Sequence, residues 1–135
     1  MSSPMIERRS EALLLDLWVA GDDDSAAFAV TDRTGARVWH GLLTDDATLH
    51  PAWRRRHCAT TVAAWKAIRI AGGERARLAV PSLLVRIYAD VVAGSLDVLD
   101  FAAAKAGVRY ELATAGGDNP ARAWCLRSAR LTAVA

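Results

Sequence analysis

The feature that most constrains this chain is a continuous apolar run over residues 12–19, interrupted by a single carboxylate, Asp16. The run is too short for an isolated helix and too apolar for a strand with one face in water. It therefore predicts a central strand that is buried on both faces. Because a buried carboxylate is costly without partners, Asp16 is predicted either to line a groove or to form hydrogen bonds as a neutral group.

Turn residues divide the next part of the chain into two further strands. Residues 21–25 are rich in glycine and aspartate and predict a turn. Gly35 comes late in a second loop, which is typical of a hairpin. The segments 26–31 and 36–43 therefore predict strands, and with residues 12–19 they predict an antiparallel meander.

The second half of the chain alternates between helical and strand patterns. Asn119 followed by Pro120 is a strong signal for the start of a helix, and paired glycines or Gly107 predict helix ends. The predicted elements are a helix over 51–72, ended by Gly72 and Gly73, a strand over 77–80, a helix over 82–91, a helix over 96–106, a strand over 108–112 and a helix over 120–130. The order β-β-β-α-β-α-α-β-α predicts an α/β fold in which right-handed crossovers add the last two strands parallel to the first.

Length and composition limit the class of protein. The 135 residues fit one domain, predicted over residues 11–135 after a loose tail of residues 1–10. A hydrophobic content of 53% with 24% charged residues excludes a disordered chain. No apolar run reaches the roughly 18 residues of a membrane helix, so no membrane association is expected. Glu7, Arg8 and Arg9 lie where a secretory signal would be apolar, which predicts a cytoplasmic location.

Charge is distributed unevenly along the chain. Residues 51–90 contain eight basic and two acidic side chains, whereas residues 21–50 contain six acidic and two basic ones. The basic part predicts either a face that binds polyanions or a solvated helix surface. An aromatic side chain beside an arginine run either stacks on a base or ribose or packs in the core. The candidate nucleic-acid-binding residues are Trp53, Arg54, Arg55 and Arg56.

The C-terminal segment carries a second pattern. Residues 118–126 contain an alanine three positions before a leucine, at Ala123 and Leu126. Together with the element order and Asp16, this segment resembles type 1 ribonuclease H. The resemblance extends over residues 12–130. It implies a ribonuclease H-like fold, with a five-stranded mixed sheet in the order 3-2-1-4-5 and helices on both faces. It also implies a nucleic-acid substrate, because family members cut the RNA of RNA–DNA hybrids with two magnesium ions held by four carboxylates.

Most of those carboxylates are absent where the resemblance implies them. Asp16 supplies the acid of the first strand. The acid of the first long helix falls at Thr60 or Thr61. The acid after the predicted fourth strand falls at Pro81, and the acid of the last helix falls at Trp124. Two nearby magnesium ions need several oxygen ligands, so the resemblance implies a degenerate metal site.

Spare acids suggest a non-standard site. Asp118 lies at the start of the last helix, and residues 22–24 are all aspartate. Asp16 and Asp118 are the candidate catalytic residues, and Asp16 is the candidate ligand for Mg²⁺ or Mn²⁺ if the protein is active. The alternative for Asp118 is a charge that the helix dipole favours at a helix N-terminus.

Two functions follow as alternatives. One is a divergent, metal-dependent endoribonuclease that cuts RNA in RNA–DNA hybrids with a non-standard carboxylate set. The other is a catalytically inactive module, without a cofactor, that binds nucleic acid or another protein. An RNA–DNA hybrid or a duplex is the expected partner in the first case, and the resemblance favours it in the second.

Overall fold

The structure of the protein is a computed structural model that describes residues 13–42, 58–90 and 96–134. These residues form five strands and three helices, which pack as one sheet between helical layers. In chain order they are β1 (Leu14–Asp22), β2 (Ala27–Thr31), β3 (Val38–Leu42), α1 (Ala59–Leu78), β4 (Leu84–Ala89), α2 (Asp97–Ala106), β5 (Arg109–Thr114) and α3 (Pro120–Val134).

The sheet has the order β3-β2-β1-β4-β5, which confirms the predicted strand order and the central place of β1. β1, β2 and β3 pair antiparallel as a meander. β4 pairs with β1 in parallel, and β5 extends the sheet in parallel beyond β4. The predicted α/β class and mixed sheet are therefore both confirmed, and the arrangement is consistent with a ribonuclease H-like fold.

The alternation of side chains along β1 separates two cores. Leu17 and Val19 pack against buried residues of α1 and α2 on one face of the sheet. Trp18 and Ala20 point to the other face, where they pack with Cys125 and other residues of α3. Helices therefore cover both faces, as predicted, and β1 is buried from both sides as its apolar run requires.

The glycine pair at Gly72 and Gly73 does not end α1. The helix continues to Leu78, so the predicted strand over 77–80 is wrong. Gly72 serves a different purpose, because a Cβ on it would lie 2.8 Å from the Cβ of Ala106 in α2. Its missing side chain allows the two helices to approach closely, and tertiary packing outweighs its low helix propensity.

The predicted helix over 82–91 is also wrong, because β4 occupies residues 84–89. Val85, Ile87 and Ala89 are buried, and the residues between them are half-buried, which is the period of a strand. The apolar spacing that predicts this helix, with Leu84, Ile87, Tyr88 and Val91 on one face, fits either period over so short a segment, and Val91 lies outside the described residues. Parallel pairing with β1 decides between them.

Several local predictions hold. The Asn119 side chain accepts a hydrogen bond from the Ala121 amide at 3.0 Å, which confirms it as the N-cap of α3. Gly107 ends α2 with a φ of 72°, a conformation that glycine adopts without strain. The predicted turn at 21–25 begins later than expected, since β1 extends to Asp22. Within the described ranges, no helix has the length and apolar character needed to cross a membrane.

Candidate functional site

A cleft lies where β1 and β4 end side by side. Its volume is about 210 Å³, and it opens at the carboxyl ends of the two parallel strands. β2 and β3 lie on one side of β1, and β4 and β5 lie on the other, so the strand order reverses between β1 and β4. Ligands of open α/β sheets bind at such positions. The cleft is lined by Val19, Ala20, Gly21, Asp22, Thr60, Asp90, Arg122, Cys125 and Leu126.

The N-terminus of α1 forms one wall of the cleft. The Ala59 amide donates a hydrogen bond to Asp23 Oδ1 at 2.6 Å, so an acid after β1 caps the helix. Gly21 makes the approach possible, because a Cβ there would lie 2.4 Å from the carbonyl carbon of Ala59. The next residue of the helix, Thr60, lines the cleft. Thr60 thus occupies one of the two positions at which the resemblance placed a helical acid.

Asp22 enters the cleft from the end of β1. Its Oδ2 accepts hydrogen bonds from the Ser25 amide at 3.0 Å and the Ser25 hydroxyl at 2.5 Å, which fix the carboxylate in a tight turn. Burial, with a smaller effect from the charge of Asp22, raises the pKa of the Cys125 thiol to about 11. Burial therefore favours the neutral thiol of Cys125 near pH 7.

Asp90 follows β4 directly and forms an ion pair with Arg122 of α3. Asn119 stands beside this pair, with its Nδ2 3.5 Å from Asp90 Oδ1. The same amide nitrogen donates to the Val19 carbonyl at 3.0 Å, so it fastens the start of α3 to β1. Arg122 and Asn119 therefore connect the start of α3 to the ends of β1 and β4.

The position of β4 changes which residue follows the fourth strand. Because β4 is residues 84–89, the residue that follows the fourth strand is Asp90, an acid, and not Pro81. Arg122, Cys125 and Leu126 of α3 line the cleft, whereas the Trp124 ring packs 4.9 Å from that of His40. The cleft thus combines two acids with a threonine and an arginine.

Asp16 lies on the same face of β1 as Asp22 but six residues earlier, about 20 Å along the strand. Its Oδ2 is 3.9 Å from the Arg33 guanidinium, and its Oδ1 is buried without a hydrogen-bond partner. Asp118 is exposed and precedes Asn119, whose side chain contacts Val19 of β1. Val19 is about 10 Å along the strand from Asp16, so the described contacts do not bring the two candidate catalytic acids together.

The remaining candidates have a different status. Trp53, Arg54, Arg55 and Arg56 lie outside the described residues, so their role stays a prediction. Among the described residues, no group of three or more His, Cys, Asp or Glu side chains is placed to hold a metal ion. Sequence reasoning missed Asp90 because it placed the fourth strand too early, and it missed Arg122 because the resemblance pointed to Trp124 in the last helix. The strand period of the segment before Asp90 was the signal that could have identified it.

The cleft does not fit a pair of magnesium ions. Such a pair needs several converging carboxylates, and this cleft offers Asp22 and Asp90, the second of which is already neutralised by a guanidinium.

Comparison of the chain with protein-family models finds no match, and comparison with curated proteins finds none either.

Proposed function

We propose that this protein is a ribonuclease H-like domain that binds nucleic acid, an RNA–DNA hybrid or a duplex, without cutting it efficiently. The ion pair between Arg122 and Asp90 is the observation that supports the absence of efficient cutting. A guanidinium at this point repels cations and removes a carboxylate from the set that metal-dependent hydrolysis needs. The strand order and the resemblance to type 1 ribonuclease H support a nucleic acid as the partner.

The candidate binding run directly precedes α1 in the sequence. Arg56 is three residues before Ala59, the first residue of that helix. The amide of Ala59 is bonded to Asp23 at the wall of the cleft. The proposal assigns the phosphate contacts to Arg54, Arg55 and Arg56, because guanidinium groups bind phosphates through paired hydrogen bonds.

Binding is tested by fluorescence anisotropy with a labelled RNA–DNA hybrid at several salt concentrations. We expect affinity to fall with salt, because phosphate contacts release counterions. Replacing Arg54, Arg55 and Arg56 by alanine should weaken binding and flatten the salt slope by up to about three charges. The control variant combines Arg69→Ala, Lys105→Ala and Arg127→Ala, which removes three exposed charges elsewhere on the protein. Its affinity should depend on salt as steeply as that of the original chain. Equal effects in the two variants would contradict a specific binding run.

Residual hydrolysis is the second candidate, because Asp22 and Asp90 line one cleft. It is tested by incubating the hybrid with the protein in Mg²⁺ or Mn²⁺. We expect little or no cleavage. If cleavage occurs, loss of activity in Asp22→Asn and Asp90→Asn would assign it to the cleft, whereas loss in Asp16→Asn and Asp118→Asn would assign it to the sequence-predicted pair. If the protein neither binds nor cleaves the hybrid, the protein-interaction alternative remains.

A further inference from the structure

The outer edge of β5 offers backbone groups to a further strand. β5 stands at one end of the sheet, and within the described ranges it pairs only with β4. The Arg109 amide donates to the Leu83 carbonyl and the Ala115 amide donates to the Ala89 carbonyl, both at 2.9 Å and both toward β4. Because backbone groups alternate along a strand, the amides of Tyr110 and Leu112 point away from β4, to the open edge.

The side chains of β5 carry a charge pattern that complements itself. Arg109 and Glu111 share the face of the sheet opposite α1, since Tyr110 and Leu112 between and after them belong to the core on the α1 side. We propose that β5 pairs antiparallel with β5 of a second copy of this chain, with Tyr110 opposite Tyr110. This register places Arg109 of each copy directly opposite Glu111 of the other.

Symmetry and hydrogen bonding both limit the choice of register. A twofold axis normal to a continuous sheet keeps each side chain on its own face. Residues that stand opposite each other must therefore share a face, so the axis passes through a residue position and alternative registers are centred on different residues. Centring the pair on Arg109 or on Glu111 would oppose like charges, and centring it on Leu112 would place Arg109 opposite Ala115 and leave no charge pair. Centring on Tyr110 alone opposes unlike charges twice.

The same register satisfies the open backbone groups. Tyr110 faces its own copy as a hydrogen-bonded pair, because its amide and carbonyl both point outward. The Leu112 amide meets the carbonyl of Val108, whose own amide is already bonded to Ala103. Arg109 and Glu111 then form the closely spaced, non-hydrogen-bonded pairs, in which side chains interact best.

Glu111 would contact two arginines in this dimer, Arg86 of its own chain and Arg109 of the second copy. Its Oε1 already lies 3.1 Å from Arg86 Nε of β4 in the same chain. Arg109 of the second copy would approach it from the other side, which produces a row of alternating charge across the two sheets. The opposite edge strand, β3, has the sequence VWHGL with no Asp, Glu, Lys or Arg, so it offers no such pattern.

The test uses two charge reversals that fail alone and succeed together. In a self-pair, Arg109→Glu opposes two glutamates at each charge pair, and Glu111→Arg opposes two arginines. We expect sedimentation velocity, over about a hundredfold range of concentration, to show a weak dimer for the original chain and at least about a tenfold loss of affinity for each variant. Mixing the two variants restores opposite-charge pairing, because each position then faces the other sign, so an equimolar mixture should form a heterodimer.

A matched control changes the same charge away from the strand. Lys105→Glu on α2 is exposed and alters the net charge as Arg109→Glu does, so it should leave the dimer intact. Far-ultraviolet circular dichroism of each variant verifies that it folds. An original chain that stays monomeric throughout, or a dimer that persists in both single variants, would overturn the proposal. Failure of the mixed variants to associate would overturn the register.

Discussion

Two aspartates on the same face of β1 have opposite surroundings. Asp22, at the end of the strand, accepts two hydrogen bonds from Ser25 and faces a cleft formed by three other elements. Asp16, within the strand, is 3.9 Å from Arg33 and keeps one buried oxygen without a partner. Backbone amides in the middle of a strand are used by the ladder, whereas those at its end are free to bind a carboxylate. A functional acid is therefore supported better at the strand end.

The largest expected effect concerns the close approach that forms the cleft. Gly21→Ala places a methyl group 2.4 Å from the Ala59 backbone, so β1 and α1 must separate. We expect a loss of about 3 kcal/mol in the free energy of unfolding, measured by urea denaturation. Gly117→Ala is the control, since nothing lies within 4 Å of its added Cβ. A similar loss in both variants would show that the contact at Gly21 is unimportant.

The next effect concerns the fastening of α3 to the cleft. Asn119→Ala removes the cap of the Ala121 amide and leaves the Val19 carbonyl unpaired, which should cost about 2 kcal/mol in a denaturant titration. Asn119→Ser keeps a capping oxygen but cannot reach Val19, so it should recover part of the loss. Asp118→Asn, at the exposed neighbouring position, should change stability little, and a large effect there would contradict this assignment.

Metal binding compares the two ends of β1 directly. Arg122→Asp should create three converging carboxylates with Asp22 and Asp90, whereas Arg33→Asp should add a single acid near Asp16. We expect Mn²⁺, at ten times its dissociation constant for the Arg122→Asp variant, to stabilise that variant by about 1.4 kcal/mol in thermal unfolding. All three proteins are compared at this one Mn²⁺ concentration. The Arg33 variant and the original chain should shift less. Equal shifts at both ends would remove the distinction between them.

The smallest effect is expected at Asp16. Its Arg33 partner is largely exposed, and such ion pairs contribute little, while its unpaired oxygen is a cost that an amide reduces. Asp16→Asn should therefore stay within about 0.5 kcal/mol of the original stability in urea. A loss several times larger would reveal a partner that the contacts described above do not include.

Strong local signals were sufficient for much of the fold. The apolar run of β1, the hairpin glycine and the Asn119 cap identified their elements because each depends on a few neighbouring residues. The predictions for β4 and for the end of α1 failed because short apolar segments fit two periods and glycine has two uses. Because of those errors, Asp90, the acid that follows the fourth strand, was not among the predicted site residues.

The sequence by itself determined that a doubly buried strand lies at the centre of an α/β sheet, because no other element buries so short an apolar run on two faces. Only the tertiary structure decided which acids share a cleft. Asp22, Asp90 and Arg122 are far apart in the chain and line one cleft, because the parallel strands β1 and β4 end together and the first turn of α3 contacts Asp90. Pattern in a sequence reports the neighbours of a residue along the chain, whereas a site depends on the register between strands.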